Sequence, residues 1–181
     1  PKAAGSWRLV VDLRYVNKFC KVFHMKMETL RSLRTSLRKN DWMFSLDLQD
    51  GFYALSIHQQ DRDYFTISLQ GELLRFAGLP MGWSCSPYVF CELTKPVIAF
   101  LRSSLPAELQ FVRKIRRHKM NKKAQKLKML PYIDDFLFMV RDLQRAKKAR
   151  DFVFNLFRSL GFILSEKKEY GSPQEDWNIW E

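Results

Sequence analysis

The chain has 181 residues, 46% of them hydrophobic with 15 Phe and 5 Trp, enough apolar mass for a sizeable core and too much for disorder throughout. Its 31 Lys and Arg against 19 Asp and Glu give a formal charge of +12, which points to nucleic acid, to an acidic membrane surface, or to nothing beyond a basic solvated face. Three cysteines without CxxC spacing and scattered histidines fit a reducing compartment and neither a disulfide framework nor a zinc site, and no apolar run approaches the roughly 20 residues of a membrane span.

Pro1 to Gly5 reads as a loop with no initiator Met and no signal-peptide pattern, as if the chain began inside something longer. Trp7 to Leu13 is bulky and β-branched, which predicts a strand. Met25 to Lys39 places Met27, Leu30, Leu33 and Leu37 near helical spacing, which predicts a short helix. Met43 to Leu48 reads as a short buried strand with Asp47 near its end. Phe65 to Leu69 and Glu72 to Ala77 form a hairpin around Gln70-Gly71.

Gly78 to Cys85 carries the densest Gly/Pro cluster and predicts a loop, feeding a helix from Ser86 with Pro87 in its first turn and a kink or break at Pro96. Val112 to Lys128 holds nine Lys or Arg and no acid, a solvated loop first and a source of phosphate affinity second. Leu130 to Val140 predicts a hairpin with Ile133, Asp134 and Asp135 at its tip. Asp142 caps a helix whose apolar face includes Leu143, Ala146, Ala149, Val153, Leu156 and Leu160, Gly161 stops it, and Phe162 to Leu164 returns as a strand. The order predicts an α+β domain, a small antiparallel sheet backed by helices.

The acids carry the chemistry. Asp134 and Asp135 sit in an apolar context, where a bare carboxylate costs several kcal/mol to desolvate unless paired or metal-bound. They read equally well as exposed turn residues. Asp47 also follows an apolar strand, and if the two strands lie side by side Asp47 and Asp134 converge at one sheet end. Magnesium needs only one or two carboxylates when waters and substrate phosphates complete its shell, and two ions about 4 Å apart serve phosphoryl transfer.

At this point the sequence resembles the reverse transcriptase family. WRLVVDLRYVN (Trp7 to Asn17), SLDLQDGFYAL (Ser45 to Leu55), LPMGWSCSPYVF (Leu79 to Phe90), YIDD (Tyr132 to Asp135) and GFILSEKK (Gly161 to Lys168) occur in the family's order. The resemblance implies a polymerase palm with partial fingers, the fingers roughly residues 1–42 and 60–80, a basic insert at 102–129, and no thumb. It implies RNA-directed DNA synthesis on an RNA or DNA template-primer from deoxynucleoside triphosphates, with two Mg2+ ions or Mn2+ in their place. Asp47 and Asp134 would be the catalytic acids that bind the two metals, with Asp135 in support. Lys168 would be the general acid, with Lys167 its rival.

The same resemblance gives Arg8, Asp50, Gly51, Phe52 and Met81 to the nucleotide, Phe52 as the gate against a ribose 2′-hydroxyl. Asp12, Arg14, Gly82 and Tyr132 would meet template and primer, although Asp12 and Arg14 read equally as an exposed ion pair. Met81 stands where retroviral enzymes carry a Gln, and the long basic insert departs from them too. Both, with the LPMGWS and LPYIDDFLF wording, lean towards DIRS-type retrotransposons. The implied setting is intracellular, in a retroelement particle, with thumb and RNase H regions elsewhere in one polyprotein and no membrane. A non-catalytic nucleic-acid-binding remnant is the other reading.

Overall fold

A computed structural model describes residues 9–37, 41–103, 111–112, 124–125 and 127–165. The chain divides into two compact units, Pro1–Met25 with Asp50–Leu93 and Lys26–Gln49 with Thr94–Glu181.

In the first unit a short helix, α1 (Arg14–Asn17), follows residues 9–13, which form no regular element. The strand expected over Trp7 to Leu13 does not form among its described residues 9–13. Leu9 and Val10 are exposed, and Leu13 instead turns into a core with Ile57, Phe65 and Leu79. Strand propensity is expressed only where a neighbouring strand offers a ladder, and residues 9–13 pair with none among the described residues.

The second unit begins with α2 (Leu30–Ser36), shorter than the helix expected over Met25 to Lys39. Thr29 takes extended dihedrals and forms a reciprocal capping box with Ser32, so the helix starts there. Leu37 reverts to extended backbone, and residues 38–40 lie outside the described ones.

The next strand, β1 (Trp42–Asp47), belongs to this unit, whereas a 3-10 helix (Gln59–Phe65) and the hairpin β2 (Thr66–Leu69) and β3 (Glu72–Arg75) belong to the first. Gln70 and Gly71 both take positive φ (54° and 88°), the two-residue turn whose twist matches that of its strands. From Ser86 to Ser103 runs α3, which stays helical through Pro96 where a kink or break was expected. The strands β4 (Phe111–Val112) and β5 (Ala124–Gln125) pair with each other, and most of the basic insert around them lies outside the described residues.

Strands β6 (Lys128–Tyr132) and β7 (Asp135–Val140) form the expected second hairpin. They join β1 in an antiparallel sheet of order β1-β7-β6. The final helix, α4 (Leu143–Ser159), is capped where Asp142 accepts a hydrogen bond from the Arg145 amide at 2.9 Å. Gly161 ends it at φ +87°.

Alternation along the strands divides the sheet into two faces. Phe44 and Leu46 of β1 lie opposite Phe138 and Phe136 of β7, and all four are buried. Onto that face α4 lays Phe154, edge-on to Phe44 with ring centres 6.5 Å apart, and Phe157, 5.1 Å from Phe136. The buried stripe of α4 is Ala146, Ala149, Val153, Phe154 and Phe157. Of the expected face Leu143 and Leu156 are half-buried and Leu160 is exposed, because the helix rolls its two aromatic rings towards the sheet. The strand expected at Phe162 to Leu164 contracts to one antiparallel bridge between Leu164 and Leu48. Among the described residues no helix is long and apolar enough to cross a membrane.

Phe157 is fully buried between the sheet and Phe162. Phe157→Ala should therefore cost about 3–5 kcal/mol and lower the thermal midpoint by roughly 10 °C, read by circular dichroism.

Candidate functional site

The second face of the sheet carries Met43, Ser45 and Asp47 from β1 opposite Met139, Leu137 and Asp135 from β7. Asp47 and Asp135 are thus directly opposed at the sheet end, and Asp135 also faces Tyr132 across the β6–β7 hairpin. The row Asp47, Asp135, Tyr132 lies on the face opposite the one α4 covers. Asp135 is exposed, Asp47 half-buried and Tyr132 55% exposed, so this end of the sheet is open to solvent. Directly opposed like charges destabilise a strand pair unless a cation lies between them.

Asp134 occupies the turn beside this row and is half-buried. Ile133, the first turn residue, is held at φ +57°, which is unusual for a β-branched side chain and costs on the order of 1–3 kcal/mol. Backbone pairing on both sides holds it there. The Leu48 amide donates to the Asp134 carbonyl at 3.2 Å, the Ser165 amide to the Asp47 carbonyl at 2.9 Å, and the Gln49 amide to the Ile163 carbonyl at 2.8 Å. The segment carrying Asp47 is therefore clamped between the acidic turn and residues 163–165. Among the described residues no three His, Cys, Asp or Glu side chains gather tightly enough to hold a metal alone. The acids form an open edge that a substrate would have to complete.

At the far end of β1 lies a carboxylate the sequence did not single out. The Asp41 side chain is 3% exposed, 3.9 Å from the Lys128 ammonium and 3.6 Å from the Arg141 guanidinium. Its cationic neighbours make it an anchor of the sheet. No sequence signal separates it from an ordinary strand-end acid.

In the first unit Asp50 takes φ +51° and its carbonyl accepts from the Tyr53 amide at 2.9 Å, giving a tight turn around buried Gly51. Phe52 is half-buried and packs edge-to-face on Phe90, ring centres 5.5 Å apart, so its ring has a fixed support. Half-buried Met81 and exposed Gly82 lie in the loop before α3. Gly82 has φ +95°, and a Cβ there would stand 3.3 Å from the Val11 carbonyl oxygen.

This loop is pinned by residues the sequence did not mark as functional. The Asn17 side-chain amide donates to the Gly82 carbonyl at 2.9 Å, and its oxygen accepts from the Ser84 amide at 2.9 Å. Buried Ser86 donates to the Pro80 carbonyl at 2.8 Å. The Trp83 indole N–H meets the Cys20 sulfur at 3.1 Å. Burial pushes the neighbouring Cys85 thiol above its ordinary range. The available signal was chemical: an Asn offers donor and acceptor on one short stem, which suits it to bracing a loop.

Asp12 and Arg14 form an exposed ion pair, with Arg14 Nε 2.9 Å and 3.1 Å from the two carboxylate oxygens and Nη2 2.7 Å from Oδ2. Arg8, Lys167 and Lys168 lie outside the described residues.

The Arg14 side-chain hydrogen bonds hold the Asp12 carboxyl down at about 2, against an ordinary 3.8. A lowered carboxylate favours the folded pair above pH 3.8, and that contribution fades as pH falls through about 2. An NMR titration should place the Asp12 midpoint near 2 and return it towards 3.8 in Arg14→Ala.

Comparison with known proteins shows what the chain as a whole is similar to. Residues 1–175 match the family model described as reverse transcriptase (RNA-dependent DNA polymerase). The chain is 29% identical over 179 residues to the Gag-Pol polyprotein of Rous sarcoma virus subgroup B, covering 95% of this chain and 10% of that one. It is 26% identical over 168 residues to the Pro-Pol polyprotein of feline foamy virus, covering 93% and 12%. The chain thus spans about a tenth of the curated relatives it matches. Among solved structures, a foamy viral protease-reverse transcriptase in complex with double-stranded DNA superposes with a TM-score of 0.69 at 25% identity, over 93% of this chain and 25% of that one. The native prototype foamy virus protease-reverse transcriptase gives 0.67 at 22% identity, over 91% and 19%.

Proposed function

This chain belongs to the reverse transcriptase family, and we propose that it is the fingers-and-palm portion of a retroelement RNA-directed DNA polymerase, adding deoxynucleotides to a primer 3′-hydroxyl. The observation that carries the proposal is the opposed pair Asp47 and Asp135 beside Asp134 on the open face of the sheet. Three acids on hard-oxygen chemistry fit divalent magnesium or manganese, which bind through one or two carboxylates and leave the remaining positions to waters and phosphates. Asp47, Asp134 and Asp135 would hold these ions. When bound, such ions supply charge neutralisation and make the primer hydroxyl a better nucleophile.

The remaining work falls to the chain's own groups. The clamped backbone around Asp47 and the strained turn at Ile133 fix the acids before substrate arrives, so little reorganisation is left for the reaction. Phe52, propped by Phe90, would fill the space a ribose 2′-hydroxyl needs and so select deoxynucleotides. Turn amides near Asp50 and Gly51 would approach the triphosphate, with Arg8 and Met81 as further contacts. Lys168, with Lys167 as its rival, would give a proton to the departing pyrophosphate. Gly82, Tyr132, Asp12 and Arg14 would meet the template–primer. Foamy viral relatives bound to double-stranded DNA and to an RNA/DNA hybrid support a nucleic-acid duplex as the partner.

Primer extension on an RNA template, with the downstream sequence of the polyprotein restored, tests this directly. The parent should extend the primer in magnesium, and Asp134→Asn should lower the rate at least about a hundredfold. Failure of the parent in both magnesium and manganese would leave a non-catalytic nucleic-acid-binding remnant. In the same assay Phe52→Val should raise incorporation of ribonucleotides relative to deoxynucleotides by about tenfold or more. An unchanged ratio would remove Phe52 from the gate.

A further inference from the structure

The segment from Leu13 to Lys21 presents two different faces. Leu13 and Val16 enter the core of the first unit, Asn17 braces the loop at Gly82 and Ser84, and Cys20 receives the Trp83 indole. Every one of these inward residues is used. Between them Tyr15 and Phe19 point outward, 72% and 75% exposed. They meet each other edge-to-face, ring centres 5.2 Å apart with planes at 66°. Single exposed aromatics are common on soluble proteins, but a mutually supporting pair on a rigidly braced segment is a preformed surface.

Its charge says what it suits. From Tyr15 to Lys26 the sequence contains Lys18, Lys21 and Lys26 and no acid. Lys18 and Lys21 are exposed. The Lys21 ammonium lies 5.6 Å from the centre of the Phe23 ring, which is stacked on Tyr88 at 4.2 Å. Exposed rings between exposed lysines match the two needs of an unpaired strand, a flat apolar face for each base and positive charge for each phosphate. A second copy of this chain would meet the same lysines with like charge, which disfavours that occupant.

We propose that Tyr15 and Phe19 form a stacking platform for the unpaired bases of a single-stranded nucleic acid, with Lys18 and Lys21 holding its phosphates. The platform deepens the polymerase reading to the extent that the chain must handle a nucleic-acid strand, yet it requires no turnover. Stacking reads no base identity, so the platform accepts DNA or RNA and any sequence. Because the rings are exposed, truncating them leaves the core untouched.

The test is fluorescence anisotropy of the full chain on labelled oligo(dT) and oligo(U) of about 15 nucleotides, without metal or nucleotide. Tyr15→Ala/Phe19→Ala should weaken binding about tenfold or more with the salt dependence unchanged, while Tyr15→Phe/Phe19→Tyr binds as the parent. Lys18→Ala/Lys21→Ala should weaken binding and flatten the salt slope by about 1.4. Parent-like binding by the alanine pair overturns the platform. So does sedimentation showing that the parent self-associates and the alanine pair does not. Strand binding is read here without metal or nucleotide, separately from primer extension. A chain that binds through the platform and never extends a primer therefore sinks the polymerase reading alone.

Discussion

Antiparallel pairing of β1 with β7 sets Asp47 opposite Asp135, and the packing of the rest of the sheet fixes that juxtaposition. Two opposed carboxylates repel and would loosen the strand end if nothing else fixed it. Phe44 stacked on Phe138, with ring centres 4.7 Å apart, and buried Leu46 beside Phe136 supply the counterweight. A slip of one residue would turn Asp47 towards α4 and expel Phe44 into water. The apolar face of the sheet thus fixes the register of the acidic face, and core packing doubles as site geometry.

The acidic turn follows the same logic at the backbone. Ile133 sits at a dihedral that glycine would occupy with less strain, and bonds from Leu48 and the β6–β7 ladder keep it there. In the first unit, polar side chains replace rings as the fixing device. Asn17 bonds twice to the loop carrying Met81 and Gly82, and Ser86 ties Pro80 to the start of α3. A loop held by directional bonds keeps one shape without a hydrophobic core beneath every residue.

Local chemistry explains which elements were legible. Gln70-Gly71, Asp142, Gly161 and the Ser86-Pro87 helix start each announce a backbone requirement that few residues satisfy, and each lies where expected. The β1 and β6–β7 strands were legible because their apolar runs are bounded by acids and turns. Over residues 9–13, the described part of the run from Trp7, the β-branched composition misled because it describes a preference that only a partner strand can realise. On α4, Phe154 and Phe157 were passed over because a regular apolar stripe fixes a helical face only to within one or two positions. The rotation finally adopted depends on the rings of β1 and β7.

The sequence by itself determined the α+β class, the hairpins and the starts of α3 and α4, and it singled out the candidate acids, since each rests on short-range periodicity, capping or an ordered set of motifs. Only the tertiary structure decided that Asp135, rather than Asp134, stands opposite Asp47, with Asp134 in the adjoining turn. It also decided that Asn17 braces the loop and that Tyr15 and Phe19 are left facing water. The physical reason is common to all three. Strand register, long-range hydrogen bonds and side-chain exposure depend on residues far apart in the chain, and no local pattern records which distant partner arrives.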